Sequence, residues 1–567
     1  MISVSGKYWE EEKISKRLSE KIKIDHNFKD IVVNQILSKK FDKNEIYSIE
    51  NNIQLSNPFI NKYDFTAGID LLDKSIKKNE NICIIGDYDV DGCVSTSLLV
   101  KFLKKIKARH YYYIPNRFND GYGSSLDLIK KIINKNPDLV IIVDNGSSSN
   151  DAIDYLNQNN VKSIIIDHHE IYKPYPKSNI LINPKKKSDY TEYDYFCSGV
   201  LTYFFIDIFI RKKKIKLDFS ENLDLVLLSI VADVMPLRKI NRLIANKVLN
   251  NTNSTQEYFF KRVFEIKKIR KKVDIEDFGY LFAPIINSAG RLQDSNIIID
   301  LFTTENDDYK NKIIDKLILL NEKRKKIEQD IFNKIDFKKN KLINNPIIVY
   351  DDFDINEGLI GIIASRIKTY FNKPTVIITK SGEKFKGSAR STKNFSIGKS
   401  IKSALDIKLL ESGGGHNLAA GFTIQKKNLQ KFRNFLYNSY KKNFVTTKYK
   451  YLSKISFNSL NKNFLIDLNK LQPYGEDNQN PYFLIENIKI IKPKIIKNKF
   501  ISCIVKNKSG KFIPAISFNF LDSDLSKNIL YNKSEFNMII QVKENFWNYK
   551  KSLQLIIIDI FNTSNKA

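Results

Sequence analysis

Ile82-Cys83-Ile84-Ile85-Gly86-Asp87-Tyr88-Asp89-Val90-Asp91-Gly92 is an apolar run of strand length that stops at a cluster of carboxylates. Two further runs have the same form: Leu139-Val140-Ile141-Ile142-Val143-Asp144 and Ser163-Ile164-Ile165-Ile166-Asp167-His168-His169. Continuous apolar runs suit strands buried on both faces, as in a parallel sheet. Ligands of such sheets bind beyond the carboxyl ends of the strands. The pattern therefore predicts that Asp87, Asp89, Asp91, Asp144, Asp167, His168 and His169 converge on one crevice. Groups massed at that density would repel and desolvate one another unless cations sat among them. Hard oxygen ligands with imidazole suit Mn²⁺ or Mg²⁺. Two such ions about 3.5–4 Å apart are a recurrent device for cleaving phosphate esters.

Each motif has a plainer reading. Asp87-Tyr88-Asp89-Val90-Asp91-Gly92 resembles part of a calcium loop, but the twelfth place counted from Asp87 is Leu98, so no Glu closes it. His168 and His169 are two of only 5 histidines in the chain, which favours metal binding over a packing role. Leu223 to Asp233 reads as a buried helix terminated by Pro236. An acid at a helix C-terminus opposes the dipole, and a metal would give Asp233 a purpose. Asn287-Ser288-Ala289-Gly290-Arg291 is compatible with an ordinary loop or, beside a phosphate, with a clamp built on the Arg fork. Lys386-Gly387-Ser388-Ala389-Arg390-Ser391 and Gly413-Gly414-Gly415-His416 read as flexible loops or as an anion nest of backbone amides.

The wider chain frames these motifs. A length of 567 residues exceeds one core. Residues 1–65 read as a polar helical cap, with Ile31, Val32, Ile36 and Leu37 at helical spacing. Strand and helix patterns alternate over 66–304, where Val94 to Leu103 carries helical spacing and Pro184-Lys185-Lys186-Lys187 marks a loop. Residues 305–339 read as a long charged connecting helix. A second α/β pattern follows over 340–440. Short β-runs fill 446–567, including Phe483-Leu484-Ile485, Phe500 to Val505, Met538 to Val542 and Leu553 to Ile558, and suggest a small OB-like barrel. No run is long and apolar enough to span a bilayer, and the N-terminus lacks an apolar signal core, so a cytoplasmic location is expected. The four scattered cysteines imply neither a disulfide framework nor a zinc site. The net charge of +30 favours a polyanionic partner. That inference is tempered because the charge is spread through a Lys-, Asn- and Ile-rich chain of the kind an AT-rich genome encodes.

Together these residues resemble the RecJ-type single-stranded-DNA exonucleases of the DHH phosphoesterase superfamily. The resemblance is carried by Gly86 to Gly92, Ile114-Pro115-Asn116-Arg117-Phe118-Asn119-Asp120-Gly121-Tyr122-Gly123, Val143-Asp144-Asn145-Gly146, Asp167-His168-His169 and Val231-Ala232-Asp233. It continues through Ala283-Pro284, Asn287 to Leu292, Gly361-Ile362-Ile363-Ala364-Ser365-Arg366, Gly387 to Ser391, Gly413 to His416 and Leu471-Gln472-Pro473-Tyr474-Gly475. The chain departs from the family pattern at Asn356-Glu357-Gly358 and at Asp477.

The resemblance implies a multidomain α/β protein: a DHH parallel-sheet domain, a connecting helix, a DHH-associated α/β domain and a C-terminal OB barrel, with the catalytic cleft between the two α/β domains. It implies 5′→3′ hydrolysis of single-stranded DNA to 5′-mononucleotides, in DNA repair and recombination. Asp87, Asp89, Asp91, Asp144, His168 and Asp233 would hold two Mn²⁺ or Mg²⁺ ions, with Asp144 bridging, and His169 would orient a ligand or contact the phosphate. Arg117, Asn287, Arg291, Ser388, Arg390, Gly414, Gly415 and His416 would bind substrate. Single-stranded DNA is the implied partner of a monomeric enzyme, with a RecQ-type helicase and a single-strand-binding protein as further candidates. Two rivals stand beside this reading. A DHH phosphoesterase of small substrates would generally lack the β-barrel. A decayed, non-catalytic DNA-binding scaffold would lack ligands that are all present here.

Overall fold

The computed structural model describes residues 1–51, 53–117, 120, 123–187, 190–250, 257–335, 342–443, 448–519, 523–547 and 550–562. Phe118, Asn119, Gly121 and Tyr122 of the Pro-Asn-Arg segment, and the last residues expected in the connecting helix, lie outside them. The chain forms two compact units, one of residues 50–325 with 473–479, the other of residues 1–49, 326–472 and 480–567.

The first unit is built on a five-stranded sheet in the order His110–Tyr113, Ile82–Ile85, Leu139–Val143, Lys162–Ile166, Ile180–Ile182, all parallel. Ile85 pairs with Ile142, Val143 with Ile166, and Ile166 with Ile182, so the three acid-tipped strands end side by side. Both faces are covered. Ile82, Ile84 and Ile141 pack with the helices Val90–Lys105, Ser198–Lys212 and Leu223–Ala232. Cys83, Ile85, Val140, Ile142 and Ile165 pack with Leu126–Ile133 and Asn150–Gln158. This is why the runs are apolar without alternation. Each fully buried aliphatic side chain contributes roughly 1.5–3 kcal/mol.

Two local readings are corrected here. Asn287 to Arg291 is helical, within Ala283–Leu292, with Pro284 in its first turn. The buried helix over Leu223 stops at Ala232, ahead of Pro236, because Val234 turns left-handed at φ +54°.

The second unit contains a five-stranded sheet in the order Ser412–His416, Ala419–Ile424, Lys384–Arg390, Thr375–Ser381, Ile348–Asp351. Only the last pair is parallel. The Gly-rich stretches expected as loops are thus strands. A closed five-stranded barrel runs Phe483–Ile496, Phe500–Lys506, Phe512–Ser517, Lys550–Asn562, Glu535–Trp547 and back to the first strand. The helix Asp524–Tyr531 lies between its third and fourth strands in sequence. Phe512–Ser517 escapes a sequence reading because Pro514 argues against a strand. The charged helix is Asp307–Lys334.

The N-terminal residues add a strand that a purely helical reading omits. Tyr8–Glu11 pairs in parallel with Lys448–Tyr451, ahead of the helices Lys16–His26, Asp30–Ser38 and Lys43–Glu50. Asp559, fully buried on the last barrel strand, accepts hydrogen bonds from the Trp9 indole at 3.0 Å, the Ser3 hydroxyl at 2.7 Å and the Ser5 hydroxyl. Three donors compensate a charge that would otherwise be costly to bury, and they tie the first residues to the barrel.

Candidate metal centre

The loop after Ile85 is wound tightly. Asp89 caps the helix Val90–Lys105 and its Oδ1 accepts from the Gly92 amide at 3.1 Å. The Asp87 carboxylate accepts from the Tyr88 amide at 2.8 Å. A Cβ at Gly92 would lie 2.4–2.6 Å from backbone atoms of Asp87, so only glycine permits the turn. Asp91 points into the N-terminus of Ser198–Lys212. It accepts from the Ser198 and Gly199 amides at 2.8 Å each and from the Ser229 hydroxyl, a natural seat for an anion. Asp144 has φ +61°, a left-handed conformation that Asp tolerates better than most residues. Asp167 accepts from the amides of Ser147, His168 and His169 and from His169 Nδ1 at 2.8 Å.

The result is a compact cluster in the first unit. His168 Nε2 lies 3.7 Å from Asp91 Oδ2, 3.5 Å from Asp144 Oδ1 and 3.3 Å from Asp233 Oδ2. Three sets of donor atoms lie within 4.8 Å of one another: Asp87, Asp89 and Asp144; Asp91, His168 and Asp233; Asp144, His168 and His169. Asp144 and His168 each belong to two sets, as groups between two cation positions should. Asp144 Oδ1 and both ring nitrogens of His168 are buried and make no hydrogen bond among the described residues. Buried polar atoms left unsatisfied among carboxylates fit divalent cations.

The electrostatics agree. Burial, and then the charges of neighbouring carboxylates, raise Asp87 and Asp144 well above the usual range and also raise Asp89. The same causes, burial first and then Asp91, lift Asp233 to about 8. Burial lowers His168 to about 4. Burial also opposes charge on His169, but the Asp167 hydrogen bond and surrounding carboxylates outweigh it and bring it to about 9. Asp167 is held low, its hydrogen bond to His169 overcoming its own burial.

The sign of the pH dependence follows for the metal-free protein. Groups raised above their unfolded values stabilise the fold below those values, and that contribution is lost as pH climbs through the folded ones. Between about pH 6.5 and 9 the titrations of Asp233 and His169 both run this way. The depressed groups, His168 and Asp167, act only at lower pH, where stability falls on acidification. The chelated protein is therefore expected to melt several degrees lower at pH 9 than at pH 6.5. Added Mn²⁺ should abolish the slope. A flat melting profile without metal would refute the cluster's electrostatics.

The first unit also holds Arg117, Asn287 and Arg291. The Arg117 guanidinium lies 5.0 Å from the centre of the Tyr88 ring. Arg117 and Arg291 both act electrostatically on Tyr88, and Arg117 on Asp87. Asn287 stands four residues before Arg291 and so shares its helix face. Gly290 brings this helix against the loop, since a Cβ there would lie 2.5 Å from the Tyr88 carbonyl, which also accepts from Ser295 at 2.6 Å. Ser198, Gly199, Ser229 and Ser295 were not legible as site residues because nothing local marks them.

Ser388, Arg390, Gly414, Gly415 and His416 lie on the second unit. Ser388 pairs with Gly421 and Gly421 with Gly414; Arg390 pairs with Ala419 and Ala419 with His416. Cross-strand partners share a face, so Ser388, Arg390 and His416 line one face with only small residues between. Arg390 donates to the Ser388 hydroxyl at 3.2 Å and lies beside Gly361, at the start of the helix Ile360–Phe371. Gly415 serves close strand approach, since a Cβ there would lie 2.3 Å from the Ala419 carbonyl, whereas a Cβ at Gly414 would meet open space.

Residues 81–230 match the DHH family N-terminal domain, residues 344–442 the DHHA1 domain and residues 453–559 the RecJ OB domain. A parallel sheet tipped by an acidic and histidine cluster, followed in one chain by a DHHA1 domain, places the protein in the DHH class. With the third match, the chain belongs to the RecJ branch of that class. It is 27% identical over 508 residues to the single-stranded-DNA-specific exonuclease RecJ of Bacillus subtilis, covering 86% of this chain and 62% of that protein. The Haemophilus influenzae protein of the same name is 25% identical over 530 residues, 87% of this chain and 90% of that one. The crystal structure of RecJ in complex with Mn²⁺ from Thermus thermophilus superposes with a TM-score of 0.84 at 20% identity, covering 98% of this chain and 79% of that chain. A second Thermus RecJ structure, with Mg²⁺, gives 0.74 at 20% identity, covering 98% of this chain and 78% of that chain.

Proposed function

We propose that this chain is a metal-dependent exonuclease that hydrolyses single-stranded DNA from the 5′ end to 5′-mononucleotides, in DNA repair and recombination. The observation that carries this reading is the paired cluster sharing Asp144 and His168, in a chain that also carries a RecJ OB domain. Asp87, Asp89 and Asp144 would hold one Mn²⁺ or Mg²⁺ and Asp91, His168 and Asp233 the other, with Asp144 between them. Ions so placed supply Lewis-acid polarisation of the phosphate and a lowered pKa for water. His169, kept protonated by Asp167, places a positive charge beside the scissile phosphate. Arg117, Asn287 and Arg291 orient that phosphate through charge-assisted and neutral hydrogen bonds. Ser388, Arg390, Gly414, Gly415 and His416 receive the 5′ end, and the barrel tracks the strand by phosphate contact and stacking. Among the described residues no helix is long and apolar enough to cross a membrane. A monomeric cytoplasmic enzyme is part of the same proposal. A RecQ-type helicase and a single-strand-binding protein are the partners proposed with it.

End-labelled single strands, duplexes and dinucleotides, incubated with and without Mn²⁺ or Mg²⁺, test the reading. Metal-dependent loss of nucleotides from the 5′ end of single strands is expected, and digestion from the 3′ end would refute it. Arg390→Ala is expected to slow digestion about tenfold, the loss of one charge-assisted hydrogen bond. The deficit should be larger on 5′-phosphorylated than on 5′-hydroxyl strands. An equal deficit on both would show that Arg390 does not read the end.

A further inference from the structure

Val234 is anomalous on two counts. The helix Leu223–Ala232 closes with the Met235 amide bonded to the Ile230 carbonyl at 3.0 Å and the Val234 amide to the Val231 carbonyl at 3.2 Å. That is the Schellman pattern, whose left-handed residue is usually glycine. Here it is Val234, at φ +54°. A β-branched residue is strained in that region, and strain that persists tends to mark function. Nor does burial repay it, since Val234 is 64% exposed.

Its place suggests what the exposed side chain meets. Val234 directly follows Asp233, whose carboxylate lies 3.3 Å from His168 Nε2. Consecutive Cα atoms are about 3.8 Å apart, so the Val234 backbone directly adjoins a residue of the cluster. On the reading above, Arg117, Asn287, Arg291 and His169 would supply charged and polar contacts to the phosphate. Nearby, the π-helical turn Phe278–Phe282 packs on the same helix, where a Cβ on Gly279 would lie 3.3 Å from Val231 Cγ1, and it leaves Tyr280 83% exposed.

We propose that Val234 is a substrate-contacting residue that packs against the apolar face of the deoxyribose and base of the nucleotide being released. This rests on the nuclease reading above. On that basis valine is retained at a glycine position because the contact, not the turn, needs the side chain.

Val234→Gly and Val234→Ile separate the possibilities. Val234→Gly relaxes the backbone, so its melting temperature should be unchanged or higher, and its Mn²⁺ affinity by calorimetry should match wild type. Its kcat/KM on single-stranded DNA should fall at least about fivefold, the scale of losing a small apolar contact. Val234→Ile should stay within about twofold of wild type. Wild-type kcat/KM in Val234→Gly, or a parallel loss of Mn²⁺ affinity, would overturn the proposal while leaving the nuclease reading intact. A wild-type enzyme inert on single strands would overturn both.

Discussion

Asp144→Ala is expected to lower hydrolysis of single-stranded DNA by on the order of 10³-fold or more while leaving DNA binding largely intact. Asp144 is buried, stands between two donor sets and carries an oxygen with no hydrogen bond among the described residues. Its removal would disturb both cation positions at once, whereas loss of Asp87 or Asp233 would disturb one. The residues proposed to hold the strand, Arg117, Arg291 and Arg390 among them, are untouched, so affinity measured by fluorescence anisotropy should change little. The alanine also lifts a carboxylate from a crowd of like charges, so the metal-free variant should melt higher than metal-free wild type. Near-normal turnover at saturating Mn²⁺ would eliminate the two-cation arrangement.

Gly92→Ala is expected to be nearly as damaging by a different route. The added methyl would meet the nitrogen, Cα and carbonyl oxygen of Asp87 at 2.4–2.6 Å. Backbone atoms at the end of a central strand cannot swing aside as a side-chain tip can, so the loop must open. Asp87 and Asp89 would then leave their set, and the Asp89 cap on the Gly92 amide would break at a cost of about 1 kcal/mol. A loss of roughly 10²-fold or more in turnover is expected, with one of two Mn²⁺ sites missing by calorimetry. Retention of two sites with full activity would show that the loop tolerates what its packing forbids.

Much of this was legible because it depends on short-range pattern. The three runs ending at Asp87, Asp144 and Asp167 read as parallel strands, since strands covered on both faces have no polar side to alternate with. Parallel strands in register bring their ends together, so convergence of these acids with His168 followed from the same reading. The barrel was legible from its four apolar runs, but not its third strand, where Pro514 argues locally against what tertiary pairing imposes. The Asn287 helix reads as a loop because a Gly and a Ser in its interior weaken the periodic signal. Gly290 is there because the helix must pass the Tyr88 carbonyl at close range. Likewise Gly413 to His416 reads as a nest, whereas pairing with Ala419 to Phe422 makes it a strand.

The sequence by itself determined the fold class, the set of carboxylates and imidazoles, and the family, because each rests on residue type and spacing within a dozen positions. Only the tertiary structure decided how those groups are held. It showed Asp91 seated on the amides of Ser198 and Gly199, more than a hundred residues away, and Asp167 supporting His169. It tied Trp9 to Asp559 across the length of the chain and exposed Val234 in a left-handed turn. The physical reason lies in geometry rather than in residue type. A hydrogen bond or a backbone dihedral depends on where folding brings its partners, and neither composition nor periodicity carries that distance.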